Sequence, residues 1–331
     1  MQVTTSSGAE DRLLVDARMD HRTGSQLVDD ARVGLTAPQK HLPAKYLYDA
    51  AGSRLFDAIC DEPEYYPTRT EAALLDDVAD RIIGLTCPTQ LVELGSGAAR
   101  KTRTLLEAMY RVARGRVFVP MDVSEEMLRR SARELVRDYA WLSVHGLVGD
   151  YAETLTLLPS ARRRLVAFLG GTVGNYEDDA AVEFLGRIRA HLGEGDALLM
   201  GADLVKDKAV LDAAYNDAAG VTAAFNKNVL RVLNRELGGD LDEDAFEHLA
   251  FYDEARARVE MHLRATRPVR AQFSELGLRV SFEAGETLHT EISRKFTRPR
   301  IESLLGRAGF ALREWFTPPN DYFSLSLAVP A

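Results

Sequence analysis

The sequence predicts an α/β protein: a doubly wound, largely parallel sheet into which an α+β segment is inserted. Three observations predict it. Short apolar strands alternate with helical periodicity from residue 70 to 204, as in sheets covered on both faces. The first strand runs into a Glu93-Leu94-Gly95-Ser96-Gly97 turn, the place where open sheets bind nucleotide-like ligands. The rhythm then stops near residue 205, and a helix and two strands after residue 296 resume it.

In chain order, residues 1–20 mix Ser, Thr, Gly and charge without periodicity, and a loosely held tail is expected. Between Leu27 and Tyr66 the aromatics Tyr46, Tyr48, Phe56, Tyr65 and Tyr66 are interrupted by Pro43, Gly52 and Pro63, predicting short helical pieces and ordered loops. Ala73, Leu74, Val78, Ile82 and Ile83 then recur at helical spacing, followed by a strand at Gln90–Leu94, a helix at 102–113 and a strand at 117–121. Ser124 can cap the next helix, with Glu125 and Glu126 favourable at its positive end. Strands are expected at 144–148, 165–169 and 197–200, with a helix at 180–191. Residues 208–250 read as helices, and strands follow at 259–264, 280–283 and 288–296. A helix at 301–308 and strands at 312–316 and 323–329 close the chain.

Composition removes several functions. Forty-one basic against fifty acidic residues give a net charge of -9, which leaves no whole-chain footprint for nucleic acid. No apolar run approaches the ~20 residues of a membrane helix. Two cysteines, Cys60 and Cys87, make no disulfide framework, no leader-like apolar stretch follows the N-terminus, and a cytoplasmic monomer is expected. The seven histidines, including His248, His262 and His289, lack ligand spacing, so no metal is expected. Residues 240–244 resemble the start of a calcium loop, but Ala245 and Phe251 stand where Gly and Glu belong, and the stretch reads as a solvated helix start.

The turn at Gly95 and Gly97 can serve three ligand classes. A Walker loop needs Gly before Lys-Ser/Thr, and here Arg100 precedes Lys101-Thr102. A dinucleotide fingerprint wants a small residue at position 100, so NAD is disfavoured without being excluded. An adenosyl ligand without phosphates remains, as in class I methyltransferases. Asp122 ends the second strand, where a carboxylate can accept from ribose hydroxyls; Asp150 ends the third, suited to the adenine amino group, with Tyr151 beside it. A plain tight turn is the alternative reading of the glycines.

At this point the sequence resembles the S-adenosylmethionine-dependent L-histidine Nα-methyltransferases of ergothioneine biosynthesis. The matching segments include Lys45-Tyr46-Leu47-Tyr48-Asp49, Pro63-Glu64-Tyr65-Tyr66-Pro67-Thr68-Arg69-Thr70-Glu71, Glu93 to Gly97 with Lys101-Thr102-Arg103, Gly174-Asn175, Asp217 to Asn226, and Thr290-Glu291 with Ser293 and Lys295-Phe296. The resemblance implies a class I methyltransferase domain (70–204 with 296–331) and an α+β substrate-binding domain (21–69 with 205–295). It implies that S-adenosylmethionine contacts Gly95, Lys101, Asp122, Asp150 and Tyr151, and that L-histidine contacts Tyr65, Asn175, Tyr215, Glu291 and Ser293. Three methyl transfers to one nitrogen, giving hercynine, are likewise implied. Gly171, Val173 and Arg294 depart from the pattern beside those positions.

The chemistry is consistent with this. Glu291 and Ser293, two apart on a strand, leave one face and can hold an imidazole by an acceptor and an adaptable hydroxyl. His289 is expected on that same face, either supporting Glu291 or exposed. Met261 can wall the ring; Asn175 and Tyr215 can bind the substrate carboxylate; Tyr48 or a water can relay the ammonium proton, and Phe56 either lines the site or packs the core. Without the resemblance, a solvated strand face is the preferred reading of Glu291 and Ser293, a turn that of Asn175, and half-buried core packing that of Tyr215. The rival functions are N-methylation of another aromatic amino acid such as tryptophan, and non-catalytic binding of S-adenosylmethionine by a regulator.

Overall fold

The structure, a computed structural model, describes residues 11–17, 22–113 and 115–331. Its strands in chain order are β1 (Leu13–Asp16), β2 (Lys40–His41), β3 (Gln90–Leu94), β4 (Val117–Asp122), β5 (Ser143–Val148), β6 (Arg164–Phe168), β7 (Ala197–Asp203), β8 (Phe246–Asp253), β9 (Arg258–Ala265), β10 (Val269–Phe273), β11 (Leu278–Phe282), β12 (Thr287–Arg294), β13 (Phe310–Phe316) and β14 (Phe323–Pro330). The chain forms two compact units: Met1–Arg18 with Pro67–Val205 and Phe296–Ala331, and Met19–Tyr66 with Lys206–Lys295. The first boundary lies at 66/67 rather than 69/70 because a single helix, Tyr66–Thr86, runs through the expected break. Val205 stays with the first unit through its amide bond to Phe296 O (3.0 Å). Among the described residues no helix is long and apolar enough to cross a membrane.

The first unit is an eight-stranded sheet in the order β1-β5-β4-β3-β6-β7-β14-β13. Side chains alternate across it: Leu91, Phe118, Leu165 and Leu199 enter one apolar core, and Val92, Val119, Val166 and Leu198 enter another on the opposite face. Strand order reverses between β3 and β6, and this is what places the glycine turn after β3 at a topological switch point. Two expectations are corrected. Residues 1–10 and 18–20 of the expected tail lie outside the described residues, but Leu13–Asp16 within it pairs in parallel with β5. Ser124 stands at the N-cap of the helix Glu125–Asp138, yet its side chain makes no cap; its amide instead donates to Asp122 Oδ1 (2.9 Å).

The second unit holds a four-stranded sheet, β2-β12-β9-β8, and the hairpin β10-β11. The helices Lys208–Ala214 and Val221–Leu237 match expectation, whereas Phe246–Asp253 is a strand and not helical. The acidic run before it forms only a 3-10 turn, Glu243–Ala245, capped by Asp242. A bulge at Thr290 changes the faces of β12. His289 pairs with His262 and Glu291 with Met261, and since residues 261 and 262 point oppositely, so do His289 and Glu291. His289 therefore does not support Glu291. Asn226, fully buried, bridges the bulge: its Oδ1 accepts from Thr290 Oγ1 (2.6 Å) and its Nδ2 donates to His262 O (2.9 Å). Removing it takes the side-chain donor from His262 O and one of two acceptors from Thr290 Oγ1, which keeps Met261 O (3.0 Å), so Asn226→Ala should cost about 1–2 kcal/mol, read as a lower urea midpoint at unchanged slope. An unchanged midpoint would contradict this.

Candidate active site

In the first unit the switch point is organised around Asp122. Gly97 N donates to Asp122 Oδ2 (2.8 Å) and Ser124 N to Oδ1, so one carboxylate at the end of β4 fixes two loops. Burial pushes its pKa up, against the opposing amides of Ser124, Gly97 and Val123. Gly95 has φ +72°, and a Cβ there would lie 2.5 Å from the Tyr151 hydroxyl; Gly97 has φ +48°, and a Cβ there would meet nothing within 4 Å. Backbone at Gly97 is thus open to a ligand where any side chain would be strained. Tyr151 follows Asp150 past the end of β5 and packs edge-on to Phe168 (6.5 Å) and beside Phe184 (5.9 Å), an apolar wall for a flat ring. Lys101 is bonded to the completely buried Glu71, which also accepts from Gly170 N (2.9 Å to each oxygen). Asn175 ends the 3-10 turn Thr172–Asn175 just past β6.

The second unit gathers most of the other expected residues. Tyr215 Oη donates to Ser293 Oγ (2.7 Å), and Lys295 Nζ donates to both Tyr215 Oη (2.9 Å) and Ser293 Oγ (2.8 Å). Tyr65 meets Tyr215 edge-on (6.2 Å) and Phe56 (6.2 Å), while Tyr48 packs on Phe56 (5.4 Å) and Phe225 (5.2 Å), so Phe56 is part of this aromatic core. Met261, buried, stands opposite Glu291 in the β9–β12 register. Tyr215 is thereby joined to Ser293 through a hydroxyl-to-hydroxyl hydrogen bond within this cluster.

Glu291 is the unusual member. It is only 8% exposed, and its Oε2 is buried without a hydrogen-bond partner. Burial raises its pKa from 4.5 to about 7, with the Lys295 charge opposing. Ionised in the unfolded chain above about 4.5 but protonated in the folded one up to about 7, this carboxyl takes up a proton on folding in that window. Its contribution to stability is therefore present below 4.5 and lost as pH rises through 7. Glu291→Gln should melt above the wild type at pH 8 and show a shallower decline between these values; a lower melting temperature at pH 8 would contradict it.

Three features escaped linear reading. Lys295 stands in the sequence only as part of a matching segment, yet it is 1% exposed. Glu71, outside every motif of the glycine turn, anchors Lys101. On the face of β9–β12 opposite Glu291, the residues Glu260, His262 and His289 offer ligand atoms within 4.8 Å of one another. Both oxygens of Glu260 are engaged, Oε1 by Arg258 (2.6 Å) and Arg256 (3.0 Å) and Oε2 by His262 Nε2 (3.0 Å). Although burial pushes its pKa up, Arg258 and His262 hold it down to about 2. Glu260 and His262 thus belong to a network with Arg256 and Arg258, whereas His289 Nε2 is buried without a hydrogen-bond partner and burial pushes its pKa down to about 4; the three residues meet through strand register, not through spacing.

A doubly wound sheet with an acidic-x-Gly-x-Gly turn, an aspartate closing β4 and two antiparallel strands at the far edge is a class I methyltransferase fold. A family described as histidine-specific, S-adenosylmethionine-dependent methyltransferases matches residues 27–330. The chain is 47% identical over 300 residues to a histidine N-alpha-methyltransferase of Mycolicibacterium smegmatis, covering 91% of this chain and 94% of that one. It is 44% identical over 300 residues to the protein of that name from Mycobacterium tuberculosis, with the same coverage (91% and 94%). It is 31% identical over 240 residues to ergothioneine biosynthesis protein 1 of Schizosaccharomyces pombe, covering 69% of this chain and 31% of that longer protein. The chain belongs to the histidine-specific, S-adenosylmethionine-dependent methyltransferase family.

Proposed function

We propose that this protein transfers methyl groups from S-adenosylmethionine to the α-nitrogen of L-histidine, three in succession, giving hercynine, and thereby opens ergothioneine biosynthesis. The observation that carries the reading is Glu291: a buried carboxylate oxygen without a partner, next to a Ser293-Tyr215-Lys295 cluster and opposite Met261. A buried acceptor left unmatched costs about 1–3 kcal/mol, so the site favours a ligand bringing an N–H. The names of the relatives support histidine as that ligand.

The first unit fits the methyl donor. The Asp122 carboxylate suits the ribose hydroxyls, Asp150 with Tyr151 suits the adenine, and open backbone at Gly97 admits the amino-acid part, with Lys101 nearby. When bound, S-adenosylmethionine supplies a methyl on a positively charged sulfur that leaves as a neutral thioether. Within the second unit the chain's own residues position the substrate: Glu291 and Ser293 hold the ring, and Met261 and Tyr65 exclude water. Desolvation favours loss of the ammonium proton, which Tyr48 or a water carries away. Placement dominates over acid-base strength in such an in-line displacement. We place the reaction in the cytoplasm, carried out by a monomer without metal or nucleic acid; neither Cys60 nor Cys87 forms a disulfide, in keeping with a reducing compartment.

The test is the site of modification. Tandem mass spectrometry of histidine treated with the protein and S-adenosylmethionine should locate every added methyl on the α-nitrogen; a ring-methylated product would reject the proposed orientation.

A further inference from the structure

We propose that Lys295 is a positioning residue that makes Ser293 an obligate hydrogen-bond donor toward the substrate ring, so that the site reads a bare ring nitrogen as well as a ring N–H. The inference rests on the histidine reading above and follows from counting protons and lone pairs. An ammonium only donates, and Lys295 Nζ lies 2.9 Å from Tyr215 Oη and 2.8 Å from Ser293 Oγ; both hydroxyl oxygens therefore accept from it. The two hydroxyls are also 2.7 Å from each other and share one further bond, which uses one of their two hydrogens. A phenol is the stronger donor and the weaker acceptor of the two, so Tyr215 gives its proton to Ser293. Ser293 Oγ then has both lone pairs filled, one by Lys295 and one by Tyr215, and all it has left to offer is its own O–H.

Glu291 supplies the complement. It sits two residues from Ser293 on the same face of β12, opposite Met261, and its Oε2 is an acceptor without a donor. One outward donor and one outward acceptor match a neutral imidazole, which carries one bare nitrogen and one N–H. An imidazolium, with two N–H groups, and an indole, with one N–H and no bare nitrogen, each place a hydrogen or a C–H against the Ser293 hydrogen. Selection against tryptophan is on this account electronic as well as steric, and it is set by a lysine that never touches the substrate.

The test compares L-histidine with the two pyrrolylalanines (2-yl and 3-yl), in which one ring nitrogen is replaced by C–H while the N–H is kept, following S-adenosylhomocysteine release. The wild type should prefer histidine over the better pyrrolylalanine by at least about a hundredfold in kcat/KM. Lys295→Met should shrink that ratio at least tenfold, mainly through KM for histidine, and Lys295→Arg, which keeps a donor, should shrink it less. Ser293→Ala should do the same, and the double variant should add little to either single change, since both remove one interaction. If Lys295→Met does not fold, Tyr215→Phe replaces it: with a lone pair freed, Ser293 can turn and accept, and the ratio should again fall. A Lys295→Met or Tyr215→Phe enzyme that loses rate equally on all substrates overturns the positioning role. A wild type that methylates histidine and pyrrolylalanine alike overturns the donor assignment while leaving the histidine reading intact. A wild type that methylates α-nitrogens of other amino acids but not histidine overturns the function itself.

Discussion

Glu291→Ala should lower kcat/KM for histidine by at least about a hundredfold and leave S-adenosylmethionine binding unchanged. The expectation follows from asymmetry. In the intact site a ring N–H meets a buried carboxylate that has no other partner, and a charged acceptor matched to a donor is worth about 1.5–3 kcal/mol. Removing it leaves the ring N–H buried and unmatched, which adds to the loss. Truncation also opens space beside Met261, so apolar aromatic amino acids should lose much less than histidine, and the preference for histidine over phenylalanine should narrow. Steady-state kinetics with both amino acids measures this. A variant that keeps both the rate and the preference would remove Glu291 from the site, and with it the reading of β12 as the substrate strand.

Asp122→Ala should weaken binding of S-adenosylhomocysteine about a hundredfold by calorimetry. Two losses combine: the acceptor for the ribose hydroxyls, and the anchor that Gly97 N and Ser124 N share. The bonds of Gly95 N and Ser96 N to Met121 O remain, but the link from Gly97 to the end of β4 is lost, so pre-organisation falls along with contact. Because Asp122 is buried and its pKa is pushed up by that burial, Asp122→Asn is the milder change: it keeps the volume and one acceptor and should fall between the two. An affinity within about threefold of wild type for Asp122→Ala would mean that the ligand lies elsewhere on the sheet.

The parallel sheet was legible because its signals are local. Runs such as Leu165–Phe168 are apolar on both faces, as strands buried on both sides are, and the glycine turn announces itself by composition. Long-range pairing was not legible. Phe246, Leu249 and Ala250 fall at helical spacing, and only the ladder to β9 makes the segment a strand. The edge strand β1 is four residues long and is defined by β5, not by its own pattern. The bulge at Thr290 depends on Asn226, sixty-four residues away, and it alone decides that His289 and Glu291 part company. Lys295 was hidden for a different reason: a lysine is read as a surface residue unless something shows what it donates to, and here the two hydroxyls that receive it come from separate elements. The candidate site was thus readable as a set of residues, through resemblance and strand periodicity, while the hydrogen-bond order within it needed coordinates.

The most direct measurement supplies the purified protein with S-adenosylmethionine and an equimolar pool of the common amino acids and follows every component by mass spectrometry. Histidine alone should disappear, hercynine should accumulate, and three molecules of S-adenosylhomocysteine should form for each histidine consumed. Depletion of any other amino acid in its place, or S-adenosylhomocysteine formed with the histidine untouched, would contradict the account.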